Sequence, residues 1–377
     1  MIVAAATPAT AVEASPRIIA PAPYQVSFGR ISAVLPSGTV RLVVVVNGRR
    51  VAARKVREGR GSVRVRLPSK DSNVRIIAID RSGGEHPSAQ VGPVFGLPPP
   101  GAPRRVGSKL DPMLQSRLVR LLRAYPGQAA AYVHNLRTGE GAAWNARARF
   151  PAGSTLKLAI AVEALRSTRG PPARGSTMDS LMRSMILNSD NRAANAIEVS
   201  IAGSTSGGSA RVNSMMRSLG LVDSEMYGGY EIEERPLATR PIPIGAEDPP
   251  SIPVGKYTSA ADLGRLLADV HLAAGGTGPL IRRFGGAVTP AEARYLLYLL
   301  VHVVDRGKLD RYLPGAVTVA HKAGWVGTAR HDNGLVYWGG GGFVAAVMTY
   351  NAGGAGTSSD VLAGRVAQAA LTRFQAR

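Results

Sequence analysis

The sequence contains no cysteine. That absence excludes disulfide scaffolds, thiolate nucleophiles and Cys-ligated zinc. It leaves the redox compartment open, because a cysteine-free chain folds equally well in reducing or oxidising surroundings. No run of about 18 apolar residues occurs, so no segment is expected to span a membrane. Aromatic residues are scarce at 5%, and acidic residues are outnumbered 25 to 46 by basic ones, giving a formal charge of +21. Lysine is scarce too: only seven are present, and the other 39 basic residues are arginine. Such a chain is drawn to polyanions such as nucleic acid, anionic lipid or anionic wall polymers. No RNP, KH or zinc-finger pattern accompanies the charge, so a nucleic-acid partner is not expected. The 377 residues are 45% hydrophobic, which excludes wholesale disorder. At about 150 residues per domain, the length predicts two or three domains.

Residues 1–23 are rich in Ala, Pro and Thr without periodicity. They read as a disordered lead-in or a clipped export signal, although the sequence shows no basic n-region and the six apolar residues Met1-Ile-Val-Ala-Ala-Ala are too few for an export segment. From Tyr24 to Gly96 the period becomes two, with strand patterns at Tyr24–Phe28, Gly38–Val46, Gly61–Leu67 and Asn73–Ile79. Asn47-Gly48 marks a tight hairpin between two such runs. Residues 24–96 are therefore expected to form a small all-β sandwich, immunoglobulin-like in general architecture. Residues 22–96 carry 13 Lys/Arg against four Asp/Glu. This is either a solvated sheet face or a basic surface that docks on an acidic polymer.

Residues 97–107 are rich in proline and predict a stiff linker. Asp111-Pro112 then caps a helix with the apolar stripe Leu114, Leu118, Leu121, Leu122. A hairpin follows through Ala129–His134, a turn at Arg137–Gly139, and Gly141–Trp144. Helical periodicity dominates near 155–168, 178–188, 190–201, 209–219, 259–274 and 289–305. Strand-like runs appear at Val317–Ala320, Gly334–Trp338 and Phe343–Tyr350, and an amphipathic helix spans about 358–374. The pattern predicts an α/β domain over 108–377, with an antiparallel sheet built from the domain's two ends and an inserted helical lobe.

Three short motifs carry chemistry. Ser154-Thr-Leu-Lys157 opens an apolar helix, where positions i and i+3 share a face, so the hydroxyl and the amine can meet. A lysine amine can activate a serine hydroxyl, whereas an arginine, always charged, is no base. Ser-x-x-Lys alone is weak, expected about once in a chain this long, and it also fits an ordinary helix N-terminus. Ser189-Asp190-Asn191 lies between two helices; Ser189 can relay a proton and Asn191 can hold an amide, yet the same residues are favoured helix caps. Lys322-Ala323-Gly324 falls on a predicted edge strand, where Lys322 supplies positive charge and Gly324 allows close approach to the backbone. The N–H groups of Trp325 and Ser154 are then candidates for an oxyanion hole.

The order Ser-x-x-Lys, Ser-Asp-Asn, Lys-x-Gly resembles the motif set of class A β-lactamases and penicillin-binding serine hydrolases. The resemblance covers about residues 108–377. It implies Ser154 as nucleophile, Lys157 as its base, Ser189 as proton relay, Asn191 as substrate contact and Lys322 as electrostatic anchor. The implied substrates are β-lactams or D-Ala-D-Ala-type peptidoglycan stems, with no metal or organic cofactor, in a secreted or envelope-associated protein.

The sequence also departs from the family pattern. Ala323 replaces the hydroxyl of Lys-Thr/Ser-Gly, and only 35 residues separate Ser154 from Ser189, so the helical lobe looks trimmed. No clean Glu-x-x-Leu-Asn is present. Glu234-Arg-Pro-Leu237-Ala238 keeps its Glu and Leu, making Glu234 the candidate water activator, with Glu225 and Glu231 as alternatives; each also reads as a solvated loop carboxylate. Tyr227 and Tyr230 are candidates for a groove wall, and His321, His331 and Asp332 for the cleft, without spacing for metal. The expected activity is an acyl-enzyme β-lactamase. A D,D-peptidase or penicillin-binding protein with slow deacylation is the alternative. A catalytically impaired wall-binding module is the reading from a different class.

Overall fold

Apolar residues at alternate positions point to one side of a strand, and two such sides facing each other make a core. The computed structural model describes residues 15–57, 59–230, 240–242, 252–254 and 256–376. The chain divides into two compact units, Met1–Gly96 and Leu97–Arg377. Glu231 and Glu234 lie outside the described residues.

The first unit is all-β. Its strands are β1 (Arg17–Ala20), β2 (Gln25–Ser27), β3 (Arg30–Leu35), β4 (Arg41–Val46), β5 (Arg49–Lys55), β6 (Gly59–Arg64), β7 (Asp71–Ile79), β8 (Glu85–Pro87) and β9 (Val91–Gly96). They form one sheet of order β1-β3-β6 and another of order β2-β9-β7-β4-β5, with β8 on β7. Ile31, Ala33, Leu42, Val44, Val63, Val74, Ile76 and Val94 from both sheets share one core. The Asn47-Gly48 turn forms as expected, with φ of 48° and 82°. The stretch expected to be a disordered lead-in is corrected at residues 17–20, which pair antiparallel with β3. Their four residues are too few to show a period; β3 supplies the partner.

The second unit is built on a six-stranded sheet. Its strands are β10 (Lys109–Leu110), β11 (Gln128–Asn135), β12 (Glu140–Trp144), β17 (Thr318–Val326), β18 (Ala329–Trp338) and β19 (Gly341–Tyr350), in the order β10-β12-β11-β19-β18-β17. Strands from the two ends of this unit therefore share one sheet, as anticipated, and meet where β11 pairs with β19. Between them lie β13 (Phe150–Pro151), β14 (Arg240–Ile242), β15 (Ile252–Val254) and β16 (Tyr257–Thr258), in the pairs β13-β16 and β14-β15. The helices are α1 (Pro112–Arg123), α2 (Lys157–Thr168), α3 (Thr177–Leu187), α4 (Asn191–Ala202), α5 (Thr205–Ser218), α6 (Ala260–Ala274), α7 (Pro279–Arg283), α8 (Pro290–Val301) and α9 (Thr357–Gln375).

Asp111 caps α1 by accepting from the N–H of Met113 and Leu114. Leu114, Leu118 and Leu122 then pack with Val366, Ala370 and Phe374 of α9 against Val133, Val336, Phe343 and Val347 of the sheet. Helix α5 starts four residues earlier than its apolar pattern suggests. Ser204 caps it, and Gly208 sits where a Cβ would stand 2.4 Å from Glu198 Cβ, so a helix-weakening residue is needed for the close α4–α5 approach. Helix α8 stops at Val301, four residues short of the expected end. The proline run 97–107 is no free spacer. Pro99–Gly101 forms a short 3-10 turn belonging to the second unit, and a Cβ on Gly101 would come within 3.0 Å of Tyr337.

Candidate active site

Ser154 lies in a 3-10 turn, Gly153–Leu156, directly before α2. The turn is closed by Thr155, whose N–H and Oγ1 both donate to Ala152 O at 3.2 and 2.7 Å. The Ala152 N–H in turn donates to Lys256 O at 2.8 Å. His331 braces the residue before it. Thr349 N–H donates to His331 Nδ1 at 3.1 Å, which leaves the ring proton on Nε2, and Nε2 donates to Pro151 O at 2.7 Å. Burial holds this imidazole neutral, its pKa brought down to about 4.

The next turn of helix carries Lys157, whose side chain is fully buried. Its Nζ stands 3.0 Å from Ser154 Oγ and 2.6 Å from Asn191 Oδ1, and it also donates to Ser189 O. These positions suit two protonation states. An ammonium donates to all three, while a free amine keeps two N–H bonds to Ser189 O and Asn191 Oδ1 and turns its lone pair to the Ser154 hydroxyl. Ser189 adopts φ 61°, the left-handed region that a serine enters at a cost of about 1–3 kcal/mol. That turn lets its carbonyl face Lys157 while its Oγ meets Lys322 Nζ at 2.8 Å. Asp190 fastens the loop from below, accepting from Ser184 Oγ at 2.7 Å and capping α4 through Ala193 N–H at 3.1 Å.

Lys322 sits on the edge strand β17, opposite Asn333 of β18. Burial draws its ammonium down to about 8, against the opposing pull of Asp305 and Asp332. Gly324 does allow a close approach, but what approaches is this chain's own backbone. A Cβ there would stand 2.6 Å from Thr155 N and 2.7 Å from Ser154 N, and one on Gly153 (φ +51°) would stand 2.7 Å from Trp325 N. The two glycines thus press the serine turn against the strand carrying Lys322. Trp325 itself is 63% exposed at the rim.

His321 and Asp332, expected along the cleft, are instead fully enclosed. His321 Nδ1 meets Asp332 Oδ1 at 2.8 Å, and Asp332 Oδ2 also accepts the Leu309 N–H at 3.0 Å. Burial opposes the charge on Asp332, but His321 and the Leu309 N–H outweigh it and hold the carboxyl below its usual range. Asp332→Ala is expected to lower stability by about 3–5 kcal/mol, read by urea unfolding at pH 7. The sign of the pH dependence follows: this stabilisation is present at neutral pH and fades as pH drops below the ordinary carboxylate range. A loss under about 1 kcal/mol would rule out the pair as a support for β17.

Helix α4 continues from Asn191 of the second motif into a stripe that the motifs do not announce, Asn195 and Glu198 at i+4 and i+7. Asn195 Oδ1 accepts the Tyr230 N–H at 2.5 Å. Tyr230 places its ring 4.7 Å from Lys157 Nζ and 4.7 Å from Lys256 Nζ. Burial raises Glu198 to about 7, against the pull of Ser209 and Lys256. Tyr230, expected as a groove wall, is thus packed over the Lys157 amine. Glu225 is engaged elsewhere: its backbone pairs with Tyr257 and its Oε2 accepts the Tyr257 hydroxyl at 2.7 Å. Among the described residues, no group of three or more His, Asp or Glu side chains is placed to hold a metal ion, and no helix is long and apolar enough to cross a membrane.

The arrangement is therefore a serine hydroxyl at hydrogen-bond distance from a buried lysine amine, with a second serine bridging to a second lysine. Solved structures sharing the fold include PBP-A, with a TM-score of 0.56 and 21% identity over 73% of this chain and all of that one. An ancestral class A β-lactamase gives 0.54 and 21% identity over 69% of this chain and all of that one. A β-lactamase from Xanthomonas campestris gives 0.53 and 17% over 68% and 96%. Comparison with curated protein sequences gives no match. The sequence model of the Beta-lactamase enzyme family matches residues 113–170 and 167–374, most of the chain, and on that match this chain belongs to the β-lactamase enzyme family.

Proposed function

We propose that the second unit is an active-site-serine acyl hydrolase that opens β-lactam rings through an acyl-enzyme on Ser154. The observation that supports this reading is Ser154 Oγ beside Lys157 Nζ, with Ser189 joining the two lysines, its carbonyl accepting from Lys157 and its Oγ from Lys322. Lys157 takes the Ser154 proton as Oγ attacks the carbonyl carbon. The C–N bond then breaks, and the leaving nitrogen receives a proton through the Ser189 hydroxyl. The Ser154 and Trp325 N–H groups stabilise the oxyanion, and Asn191 and Lys322 orient the substrate amide and carboxylate. The basic first unit and the hydrolase together suit a secreted or envelope-associated protein.

A second reading, a penicillin-binding protein or D,D-peptidase with slow deacylation, is favoured by Ala323 and by the missing Glu-x-x-Leu-Asn. One relative, a PBP-A variant, is described as an acyl-enzyme complex with penicillin G. Glu234 stays the sequence-based candidate for activating the deacylating water.

Intact-protein mass spectrometry after mixing the full chain with benzylpenicillin tests both readings. A transient adduct with accumulating ring-opened product supports a β-lactamase. An adduct persisting for hours supports the slow deacylator, and no adduct overturns the acyl-enzyme proposal. The Lys322 titration adds a pH test. The ammonium is charged below about 8 and neutral above it. Acylation by a carboxylate-bearing β-lactam should therefore fall as pH rises through that value, while a flat profile from pH 7 to 9 would remove Lys322 as the anchor.

A further inference from the structure

Strands β5 and β6 are each an edge strand of one of the first unit's two sheets, and both are studded with arginine. Residues 49–66 hold eight basic residues against a single acid, Glu58. Between the two edges runs an open groove of about 540 Å³ lined by Arg30, Ala52, Ala53, Arg54, Ser62, Val63 and Arg64. Arg54 Nη1 donates to Ser62 O at 3.2 Å, tying one edge to the other. Arg30 and Arg64 are direct cross-strand partners on β3 and β6. Like charges placed opposite one another destabilise a sheet.

Glu85 is held by Arg50, and Asp80 by His86. Arg30, Arg54 and Arg64 have no acidic partner among the described residues. These three guanidinium groups line one groove, with Arg54 giving one N–H to Ser62 O, and make it strongly positive. Planar forks match phosphate oxygens bidentately, which lysine does not. The floor is Ala52, Ala53 and Val63, with no aromatic ring on which a base could stack, and this disfavours single-stranded nucleic acid.

We propose that this groove binds a phosphodiester-linked anionic polymer of the cell envelope, holding the hydrolase unit near its substrate. The assignment to the envelope rests on reading the second unit as a cell-wall acyl hydrolase; the phosphate chemistry of the groove does not.

The test uses the full chain and poly(glycerol phosphate) as probe, titrated at several salt concentrations. The triple variant Arg30→Gln, Arg54→Gln, Arg64→Gln is compared with Arg17→Gln, Lys70→Gln, Arg81→Gln, which removes the same charge from exposed positions outside the groove. The groove triple is expected to bind at least tenfold more weakly. Its log K against log salt slope should flatten by about two, near 0.7 per lost phosphate contact. The control triple should lose less than about threefold, as net charge alone requires. Arg54→Gln alone should weaken binding by about threefold, so the proposal stays testable if the triple folds poorly.

Equal losses in both triples would reduce the effect to net charge and overturn the site. Duplex DNA bound as tightly as the polymer, with the same loss in the groove triple, would overturn the envelope polymer in favour of nucleic acid. Benzylpenicillin adduct formation should be unchanged in both triples, so failure of the groove and failure of the acyl-enzyme reading are separately visible.

Discussion

Ser154→Ala is expected to leave no detectable penicillin adduct on the intact protein. The methyl group keeps the 3-10 turn, since that turn is closed by Thr155 and by backbone bonds rather than by the Ser154 hydroxyl. Only the atom that would bond to the acyl carbon is removed. Turnover should fall by at least about a thousandfold, because residual rates in variants lacking a nucleophile come from binding and oxyanion donors alone. Thermal unfolding should stay within about 2 °C of the parent, as expected for a small change that opens no cavity in the core. An adduct of unchanged yield in Ser154→Ala would move the chemistry to another residue, with Ser189 the first to examine.

Lys157→Met is expected to slow acylation by about 100- to 10,000-fold. Methionine has nearly the length of lysine and fills the same buried space without an amine. The variant therefore separates proton transfer from packing. Removing the amine strands the Ser189 carbonyl and Asn191 Oδ1, both within its reach. Two half-buried acceptors losing this donor would each cost at most about 1–3 kcal/mol, and less where water reaches them. Some loss of stability is thus built into the prediction, and the discriminating readout is the pH profile. If Lys157 is the base, the acid limb of acylation in the parent disappears in the variant. If Lys157 only holds the Ser189 turn, the limb survives at reduced amplitude.

These two results bear on how the missing glutamate signature is read. A fast-acylating parent that stays acylated would place the chain with slow deacylators, and Glu234 would then carry no water. Release within seconds would call for a carboxylate in the segment 231–239, where Glu231 and Glu234 both lie.

Most of the elements, and the nearness of Ser154 to Lys157, are legible in the order of residues alone. Period two in residues 24–79 and period 3.6 across α1 to α6 follow from local geometry, in which side chains must share a face to be buried together. Ser154 and Lys157 could be paired because three residues along a helix return to the same side, a constraint needing no tertiary partner. Gly339-Gly340 makes the turn between β18 and β19, while Gly341 and Gly342 already pair in β19.

What the pattern did not show has a common cause. Strand β18 begins several residues ahead of its apolar pattern, at Ala329, and takes in His331-Asp332-Asn333, while β17 runs through the Lys322-Ala323-Gly324 expected on an edge strand and on to Val326. Those residues are poor strand formers by composition. They are strand because β19 and the serine turn supply partners, and because the His321–Asp332 pair and the His331 brace meet their hydrogen-bond needs inside the fold. His331 could not be read as the brace of Pro151, since the two stand 180 positions apart. The meeting of Tyr230, Lys256 and Lys157 is a contact between loop and helix that no local period records. Pattern shows which faces are buried; it is chain topology that brings distant polar residues to one point, and there the chemistry of the site is assembled.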